Sequence, residues 1–425
     1  MIERGDFRLV RDALLEAVCA VGTEETSLEL AAGRVLCRDV VAAKDCPSFA
    51  RSPYDGYAFR ATDVADASSD HPVTLKVIDH IPAGEVPHVG ITAGTAAHLM
   101  TGAPIPEGAD TVLPFEKTSF TEDSVTIFSP AAPGSNVIYP GEDYQKGTIL
   151  GHAGVRIDAG LAGTLAGQGI FRPEVYRIPL VGVISTGTEI LEEGDPAKPG
   201  KIYNSNRYSL QAACAEAGCR SIFLGTARDD EETICSLIRE GLRTCDAVIL
   251  SGGVSVGDYD CTPAAMKMAG VEILARGAAL KPGMAGAYGI FLQDGEGAGK
   301  CTDAETAKEM LYSGIPVMAL SGNPAACMTA FYAIALPILK KRMGLKEILP
   351  RSVKVLLEKD YSGKKQTDRL LRGKIDLAAS VQKMTVFEKQ GNQMLLSLAG
   401  ANAFALIPAD TKVQVGEPVE AFLLE

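Results

Sequence analysis

Residues 175–191 read VYRIPLVGVISTGTEIL, an apolar strand followed by a turn of small residues. Downstream, apolar strands alternate with stretches of helical character. The strands are SIFLGTA (221–227), DAVILSGG (246–253) and IPVMALSG (315–322), and the helices are RYSLQAACAEAG (207–218), DDEETICSLIREGLR (229–243) and AACMTAFYAIALPILKK (325–341). Continuous apolar strands separated by helices are what a parallel sheet covered on both faces requires. The pattern predicts a doubly wound α/β domain over residues 178–340.

The sequence on either side of this domain has a different texture. Residues 7–22 carry apolar residues at helical spacing and predict an amphipathic helix that ends at Gly22. From about residue 27 to 175, short β-branched runs interrupted by Gly and Pro predict small strand-rich domains. After Pro350 the alternation returns and predicts a C-terminal β-barrel. The expected fold class is therefore α/β plus all-β, in several domains, and the glycine-rich stretch 293–310 is expected to form an exposed loop.

Composition excludes several classes of function. The chain has 425 residues, enough for roughly two to four domains. It carries 41 Lys and Arg against 53 Asp and Glu, a net charge of −12, without a sustained basic run. Nucleic acid is therefore not expected as a partner, because backbone binding needs clustered positive charge. The absence of a signal-like start and of long apolar stretches predicts a cytoplasmic protein without membrane contact.

The ten cysteines include no C-x-x-C pair and are accompanied by five histidines. They are expected to be mostly buried thiols of a reducing compartment. A structural zinc site at Cys214 and Cys219 is the weaker interpretation, since no second ligand pair accompanies them.

Loops that follow the strands of an open α/β sheet are the first places to look for a ligand site. One such loop is expected to turn from strand to helix through Ser185, Thr186, Gly187 and Thr188, with Glu189 at the start of the next element. A second leaves its strand through Ser251, Gly252 and Gly253 and continues past Ser255 to Asp260. The third is Gly322, Asn323 and Pro324. Glycines let the backbone approach a ligand, and free N–H groups at a helix start favour anions. Each loop alone is more typical of a tight turn, but three on one sheet edge reverse this preference and favour a phosphate-like ligand.

Charged side chains in the same region suggest what accompanies the anion. Glu189, Asp229 and Asp260 could hold Mg²⁺ that bridges to a polyanion, or could accept N–H groups from a heterocycle. For Asp229 an acidic first helical turn is an equally good explanation. Lys281, in ALKPGMAGAYG (279–289), is either a point charge for a phosphate or oxyanion, or an exposed lysine at a turn.

The first half of the chain adds three acidic, proline-rich stretches. Asp55 lies in SFARSPYDGYAF (48–59), Thr101 in LMTGAPIPEGADTVLPFE (99–116), and Asp143 in YPGEDYQKGTIL (139–150). On their pattern alone these stretches are surface hairpins.

Together these stretches resemble one family, the molybdopterin molybdenumtransferases, which include the bacterial MoeA enzymes and the C-terminal part of gephyrin. The motifs that carry the resemblance are SPYDGYA, TGAPIPEGADTVLPFE, GEDYQKG, STGTEI, KIYNSN, LSGGVSVGDYD, KPG, SGNP and GANAFALIP. They follow one another in this order from about residue 45 to 408.

The resemblance implies a subunit of four parts. These are an elongated strand-rich linking domain (1–45 and 147–177), a small β domain (46–146), a molybdopterin-binding α/β domain (178–340) and a C-terminal β-barrel (341–425). It also implies a homodimer whose active site lies between the α/β domain of one subunit and the small β domain of the other. The implied reaction inserts molybdate into adenylylated molybdopterin, with Mg²⁺-dependent cleavage that releases AMP, and an adenylyltransferase supplies the substrate.

The resemblance also assigns residues to the site. Glu189, Asp229, Asp260 and Lys281 would line the α/β side, the three carboxylates as metal ligands, while Asp55, Thr101 and Asp143 would come from the facing subunit. The cofactor-binding set would be Thr101, Ser185, Thr186, Gly187, Asn206, Ser251, Gly252, Gly253, Ser255, Gly322, Asn323 and Pro324.

Three departures from the family pattern reduce the positive charge or change a loop. Met284 stands where a second basic residue is usual, Ser321 where proline is usual, and residues 138–140 (Ile-Tyr-Pro) where arginine is common. Each lost charge-assisted hydrogen bond should weaken oxyanion binding by roughly 1–3 kcal/mol. Two interpretations stay open: a transferase that uses molybdate or tungstate, and a paralogue that binds molybdopterin for delivery, storage or regulation without inserting metal.

Overall fold

The structure is a computed structural model that describes residues 1–254, 261–292, 314–362, 366–379 and 381–424. The expectations for Ser255, Asp260 and the loop 293–310 fall outside these residues. The chain forms two compact units: unit 1 comprises Met1–Arg38, His152–Ala162 and Phe171–Glu425, and unit 2 comprises Asp39–Gly151 and Gly163–Ile170.

The strands of the described residues are, in chain order, β1 Ile2–Gly5, β2 Thr23–Glu25, β3 Val40–Val41, β4 Gly56–Phe59, β5 Val73–Ile81, β6 Thr95–Leu99, β7 Thr111–Pro114, β8 Thr118–Phe120, β9 Ser124–Ile127, β10 Ile149–Gly151, β11 Glu174–Tyr176, β12 Leu180–Thr186, β13 Ile190–Leu191, β14 Ile202–Tyr203, β15 Arg220–Ala227, β16 Ala247–Ser251, β17 Glu272–Ala278, β18 Leu280–Lys281, β19 Gly286–Phe291, β20 Ile315–Leu320, β21 Ser352–Leu357, β22 Tyr361–Ser362, β23 Asp368–Ile375, β24 Lys383–Val386, β25 Ala403–Ile407, β26 Lys412–Val413 and β27 Pro418–Leu423. The helices are α1 Phe7–Glu16, α2 Ala159–Gly167, α3 Ser205–Ala217, α4 Glu231–Thr244, α5 Thr262–Met268, α6 Pro324–Ala330, α7 Leu336–Arg342 and α8 Leu396–Ala399. Short 3₁₀ turns span Leu28–Leu30, Ala61–Val64 and Phe115–Lys117, and a π turn, Phe331–Ala335, joins α6 to α7.

Unit 1 is built on a seven-stranded sheet of order β1-β17-β19-β20-β16-β12-β15. Strand β19 is antiparallel to both of its neighbours, and the other pairings are parallel. The central strands β16 and β20 are buried along their whole length, as their continuous apolar sequences predict. Because six strands run in one direction, the loops after their carboxyl ends gather at one edge of the sheet.

Both faces of the sheet are covered. One apolar core joins α1, α3, α6 and α7 to one face, and a second core joins α4 and α5 to the opposite face. Helix α3 ends at Gly218, which adopts the left-handed conformation with a φ of 93° that closes many helices. The doubly wound α/β architecture predicted from the apolar pattern is therefore confirmed.

The C-terminal strands of unit 1 close into a barrel. The order is β23-β24-β21-β27-β25, and β25 pairs back onto β23. Alternate residues of these strands fill the interior. The two-residue strand β18 runs parallel to β23 and places Lys281 beside Arg369, so that the barrel is attached next to the KPG segment. The predicted C-terminal β-barrel is confirmed.

Unit 2 contains a six-stranded mixed sheet of order β7-β4-β6-β5-β9-β8. Along β4, Tyr57 and Phe59 enter one apolar core and Ala58 enters another on the opposite face. This alternation follows from the two-residue period of a strand.

Two local expectations were wrong. The first helix ends at Glu16 rather than near Gly22, because the chain leaves the helix so that the Val21 amide can donate to the Arg342 carbonyl, at 2.8 Å. The STGTEI turn leads into the short strand β13 rather than into a helix. No helix among the described residues has the length and apolar character needed to span a membrane.

Candidate functional site

A cavity of about 1120 Å³ opens at the carboxyl edge of the α/β sheet in unit 1. Its walls come from the ends of β1, β12, β15, β16, β17 and β20, and from the barrel segment that contains Asn392. The sheet geometry explains why the sheet segments, although distant in sequence, meet here, since they lie at strand ends along one edge.

Most of the residues singled out on the α/β side lie on this wall. Those present are Thr186, Gly187, Glu189, Asn206, Asp229, Ser251, Gly252, Gly253, Lys281, Gly322, Asn323 and Pro324. Ser185 is an exception: it is almost fully buried, and its hydroxyl donates to Asn204 Oδ1 at 3.1 Å in the interior. Ser255 and Asp260 are outside the described residues.

Two carboxylates, Glu189 and Asp229, define an acidic side. Asp229 precedes the N-cap of α4, which is Asp230, so it does not form the first helical turn. Instead its Oδ2 accepts from the backbone N–H of Thr188, at 3.1 Å, and from the Thr188 hydroxyl, at 3.2 Å. Since Thr188 is bonded to Glu189, this contact brings the two carboxyl-bearing segments together.

The loop amides are less available than the sequence suggested. The N–H groups of Ala325 and Ala326, in the first turn of α6, donate to the Asn392 carbonyl at 2.9 and 3.2 Å. The Gly187 amide donates to Ala227 at 3.1 Å, and the Gly252 amide to Leu320 at 3.0 Å. Protein carbonyls therefore use several of the donors that were expected to bind a phosphate.

The glycines of the second loop are required by packing. A Cβ on Gly252 would lie 2.5 Å from the Thr186 carbonyl oxygen, and one on Gly253 would lie 2.4 Å from the Thr262 hydroxyl. Both residues also have positive φ, 104° and 61°, which side chains rarely adopt. The turn at Ser251–Gly253 is thus held tightly against its neighbours.

Asn206 lines the cavity and has an unused acceptor. Only 7% of the residue is exposed, and its Nδ2 donates to the Gly322 carbonyl at 2.9 Å and to the Ser251 hydroxyl at 3.3 Å. These acceptors fix the orientation of the amide, because the reverse orientation would bring two oxygens together. Its Oδ1 is buried without a hydrogen-bond partner among the described residues. Such an atom is costly unless a ligand donor reaches it.

A polar network fixes the start of α3, the helix that carries Asn206. Asn204 caps α3 by accepting from the Arg207 amide at 3.1 Å, and its Nδ2 donates to Glu192 Oε1 at 2.7 Å. Glu192 also accepts from Arg207 Nη1, at 2.8 Å, and from the Thr226 hydroxyl. Burial alone would raise the pKa of Glu192, but the hydrogen bonds from Thr226, Asn204 and Arg207 hold that pKa below its usual range.

The opposite side of the cavity is basic. Lys281 is exposed on this wall, and Met284 lies on it three residues later. Two further cations, Arg4 and Arg276, lie on the same wall and were missed by sequence reasoning. Arg276 lies in the run VEILARGAALKPG that leads to Lys281, which was a usable signal. Arg4 lies at the start of the chain, and nothing in the local sequence connects it to this site.

The barrel segment that closes the cavity contributes Asn392, Gln393 and Leu395. A fully buried arginine, Arg372, supports this segment: its Nη2 donates to the Gly391 carbonyl at 3.1 Å, and its Nε to the Ser397 hydroxyl at 2.7 Å. Burial lowers the pKa of Arg372 to about 10. This barrel contribution was not anticipated from the sequence.

In unit 2, Asp55 and Thr101 are in direct contact. Asp55 Oδ1 accepts from the Thr101 amide at 2.6 Å and from its hydroxyl at 2.7 Å. These hydrogen bonds hold the pKa of Asp55 below its usual range, so the carboxylate is ionised at neutral pH. Asp143 is exposed elsewhere in unit 2, and within the described residues its side chain makes no hydrogen bond to either of them.

Family models cover almost the whole chain. The MoeA N-terminal region (domain I and II) matches residues 7–169, a probable molybdopterin binding domain matches 182–341, and the MoeA C-terminal region (domain IV) matches 354–424.

Individual relatives agree with these matches. A Bacillus subtilis protein named molybdopterin molybdenumtransferase is 36% identical over 409 residues, which is 95% of this chain and 90% of the relative. A Staphylococcus epidermidis protein of the same name is 35% identical over 94% of this chain and 90% of its own length. A crystal structure of a molybdopterin biosynthesis MoeA protein from Pyrococcus horikoshii superimposes with a TM-score of 0.82 at 31% identity, and covers 98% of both chains. The resemblance drawn from the motifs is confirmed, and the chain belongs to the molybdopterin molybdenumtransferase (MoeA) family.

Proposed function

We propose that this protein inserts molybdate into adenylylated molybdopterin and releases AMP and the molybdenum cofactor. The observation that carries the proposal is that acidic and basic walls share one cavity: Glu189 and Asp229 lie on one side, and Lys281 on the other. A phosphorylated heterocycle and an oxyanion need both kinds of group, since the heterocycle donates N–H groups and the anions require cations.

Mg²⁺ fits the acidic wall. The ion is usually held by one or two protein carboxylates together with substrate phosphates and water, so a complete protein cage is not needed. Among the described residues no group of three His, Cys, Asp or Glu side chains could hold a metal, but Glu189 and Asp229 meet the smaller requirement. When bound, Mg²⁺ would neutralise charge on the pyrophosphate link.

The chain's own residues position the two reactants. Asn206 Oδ1 accepts an N–H of the pterin, and the hydrogen bonds from its Nδ2 to Gly322 and Ser251 hold the amide in place. Lys281 attracts the oxyanion as a flexible point charge.

We also propose a homodimer, in which the Asp55–Thr101 pair and Asp143 of one subunit face the cavity of the other. The division into four domains described above, and an adenylyltransferase that supplies the substrate, belong to the same proposal. Support for a shared site comes from the Asp55–Thr101 pair, in which two hydrogen bonds from Thr101 hold the surface carboxylate in one orientation.

Subunit mixing tests the shared site. Asp55→Asn and Lys281→Ala variants are each expected to have little activity alone at limiting molybdate. An equimolar mixture whose subunits exchange should recover about a quarter of wild-type activity there, because half of the dimers are mixed and each of these carries one intact site of two. Light scattering reports the oligomeric state. Recovery of no activity from a mixture whose subunits demonstrably exchange would refute the shared site, as would a fully active monomer.

The reaction itself is tested by incubating the purified protein with adenylylated molybdopterin, Mg²⁺ and molybdate, and measuring AMP and cofactor. Lys281→Ala should raise the molybdate concentration needed for half-maximal turnover. Lys354→Ala, an exposed lysine on barrel strand β21, is the matched control and should not. Equal turnover of all three proteins at limiting molybdate would remove Lys281 from the oxyanion role.

A second function is favoured by Met284, which places a neutral side chain on the cavity wall beside Lys281. In that case the protein binds molybdopterin without inserting metal. Measurable pterin binding, with no AMP released in the presence of either molybdate or tungstate, would establish this function and refute the transferase.

A further inference from the structure

We propose that Arg4 and Arg276, together with Lys281, form the anion-binding wall of the cavity, and that Arg4 supplies the positive charge that is absent at Met284. The ligand class is an oxyanion, either a phosphate group of the substrate or the tetrahedral metal oxyanion. The inference rests on the proposed function and names the residues that recognise its anion.

The first support is the placement of Arg4. Strand β1 pairs with β17 so that Glu3 lies opposite Arg276 and Gly5 opposite Ala278, and Arg4 falls between these pairs, next to Gly277. The Arg4 Cγ lies 3.2 Å, and the Met284 carbonyl oxygen 3.0 Å, from the point that a Cβ on Gly277 would occupy. Arg4 and Met284 are therefore neighbours on one wall.

The second support is the backbone of Arg4, which has a φ of 46°. Residues other than glycine rarely adopt this region, and such conformations cost about 1–3 kcal/mol and are concentrated at functional sites. Gly277 opposite it is also in the positive region, with a φ of 72°. Positive φ therefore occurs at neighbouring positions of both strands, at the point where Arg4 lines the cavity.

The third support is the lack of counter-ions. Within the described residues, Arg4, Arg276 and Lys281 form no ion pair or hydrogen bond through their side chains, and they face the same space. Like charges in one cleft repel each other, and the field they create there favours the entry of an anion. Arginine is suited to such a ligand because its planar fork can donate two hydrogen bonds to neighbouring oxygens.

The fourth support comes from the loop amides. Because Ala325, Ala326 and Gly252 donate to protein carbonyls, backbone N–H groups at these positions do not bind an anion. Recognition of the anion therefore depends more heavily on side-chain cations than the glycine-rich loops alone indicate.

The test measures binding by isothermal titration of the full chain without pterin, with molybdate in one arm and inorganic pyrophosphate in the other. Arg4→Ala and Arg276→Ala should each weaken binding in at least one arm by about five- to tenfold. Arg243→Ala, an exposed arginine in the last turn of α4 away from the cavity, should leave both affinities unchanged. Adding Met284→Lys to Arg4→Ala should restore affinity, which a merely structural role of Arg4 would not allow.

The arms also identify the anion. Weakening confined to molybdate assigns the wall to the metal oxyanion, and weakening confined to pyrophosphate assigns it to the substrate phosphates. The proposal is overturned if the wild type binds neither anion, if both arginine variants bind as the wild type does, or if Met284→Lys fails to rescue a folded Arg4→Ala protein. A wild type that binds the anions through these arginines but produces no cofactor would refute the proposed function and leave the anion wall standing.

Discussion

Asn206→Ala is expected to weaken the binding of adenylylated molybdopterin about tenfold while changing the free energy of unfolding by less than about 1 kcal/mol. The reason is that the two halves of the amide have opposite effects on the free energy of unfolding of the unliganded protein. Nδ2 makes two hydrogen bonds, to Gly322 and Ser251, while Oδ1 is buried without a partner.

The magnitude follows from these contacts. Two neutral hydrogen bonds contribute about 1 kcal/mol each, and an unsatisfied buried acceptor costs about 1–3 kcal/mol, so their loss nearly cancels in the free energy of unfolding. Binding is different, because a ligand N–H that reaches Oδ1 gains the hydrogen bond and also relieves the unsatisfied acceptor. Losing about 1.4 kcal/mol of that gain corresponds to a tenfold change in affinity.

Asn402→Ala is the matched control. Asn402 Oδ1 accepts from the Ile375 amide at 2.8 Å, and its Nδ2 donates to the Ile375 carbonyl at 2.9 Å, so both halves of this amide are satisfied within the barrel. Its removal should lower the free energy of unfolding by about 1–2 kcal/mol and leave ligand affinity unchanged. Thermal unfolding and titration with the pterin measure both quantities. If Asn206→Ala instead behaves like Asn402→Ala, the unsatisfied oxygen has no ligand role and the reasoning is refuted.

Three further predictions concern packing and pH. Gly252→Ala should lower the free energy of unfolding by about 2–4 kcal/mol in denaturant titrations, because its Cβ would lie 2.5 Å from the Thr186 carbonyl oxygen at positive φ; a loss below about 1 kcal/mol would mean that the loop can shift. Gly163→Ala lies in helix α2 with open space around the added methyl, and it should raise the free energy of unfolding by about 0.5–1 kcal/mol. A decrease would contradict the observation that the methyl has no close neighbour. Glu192→Gln should lower the melting temperature at pH 7: since the pKa of Glu192 is depressed on folding, its stabilisation is full above the ordinary value of about 4.3 and disappears as pH falls through the lowered pKa. A difference in melting temperature that stays constant from pH 7 down to about pH 3 would contradict this assignment.

The central sheet could be predicted because its signal is local. Strands β12, β16 and β20 are buried on both faces, so their apolar residues are continuous, and helices α3 and α4 carry side-chain caps at Asn204 and Asp230. The barrel was predicted for a similar reason, since alternating residues reflect one filled and one solvated face.

The parts of the site that were missed depend on long-range contacts. Asn392 reaches the start of α6 from the barrel and takes the amides of Ala325 and Ala326, and no local pattern indicates that pairing. Arg4 enters the cavity because β1 joins the far edge of the sheet beside β17. A short strand of four residues carries little periodicity of its own, so its partner is decided by the folded sheet.

These long-range contacts bear on which of the two functions the chain performs. From the sequence, Met284 counted as a lost cation and favoured a protein that binds the pterin without using an oxyanion. In the folded chain, the same wall carries Arg4 and Arg276 beside Lys281, so positive charge is present although it comes from different positions. Electrostatic attraction depends on where charges lie in space and not on the segment that supplies them. Three cations without counter-ions among the described residues keep this wall suited to an anion, so Met284 alone does not count against the use of an oxyanion.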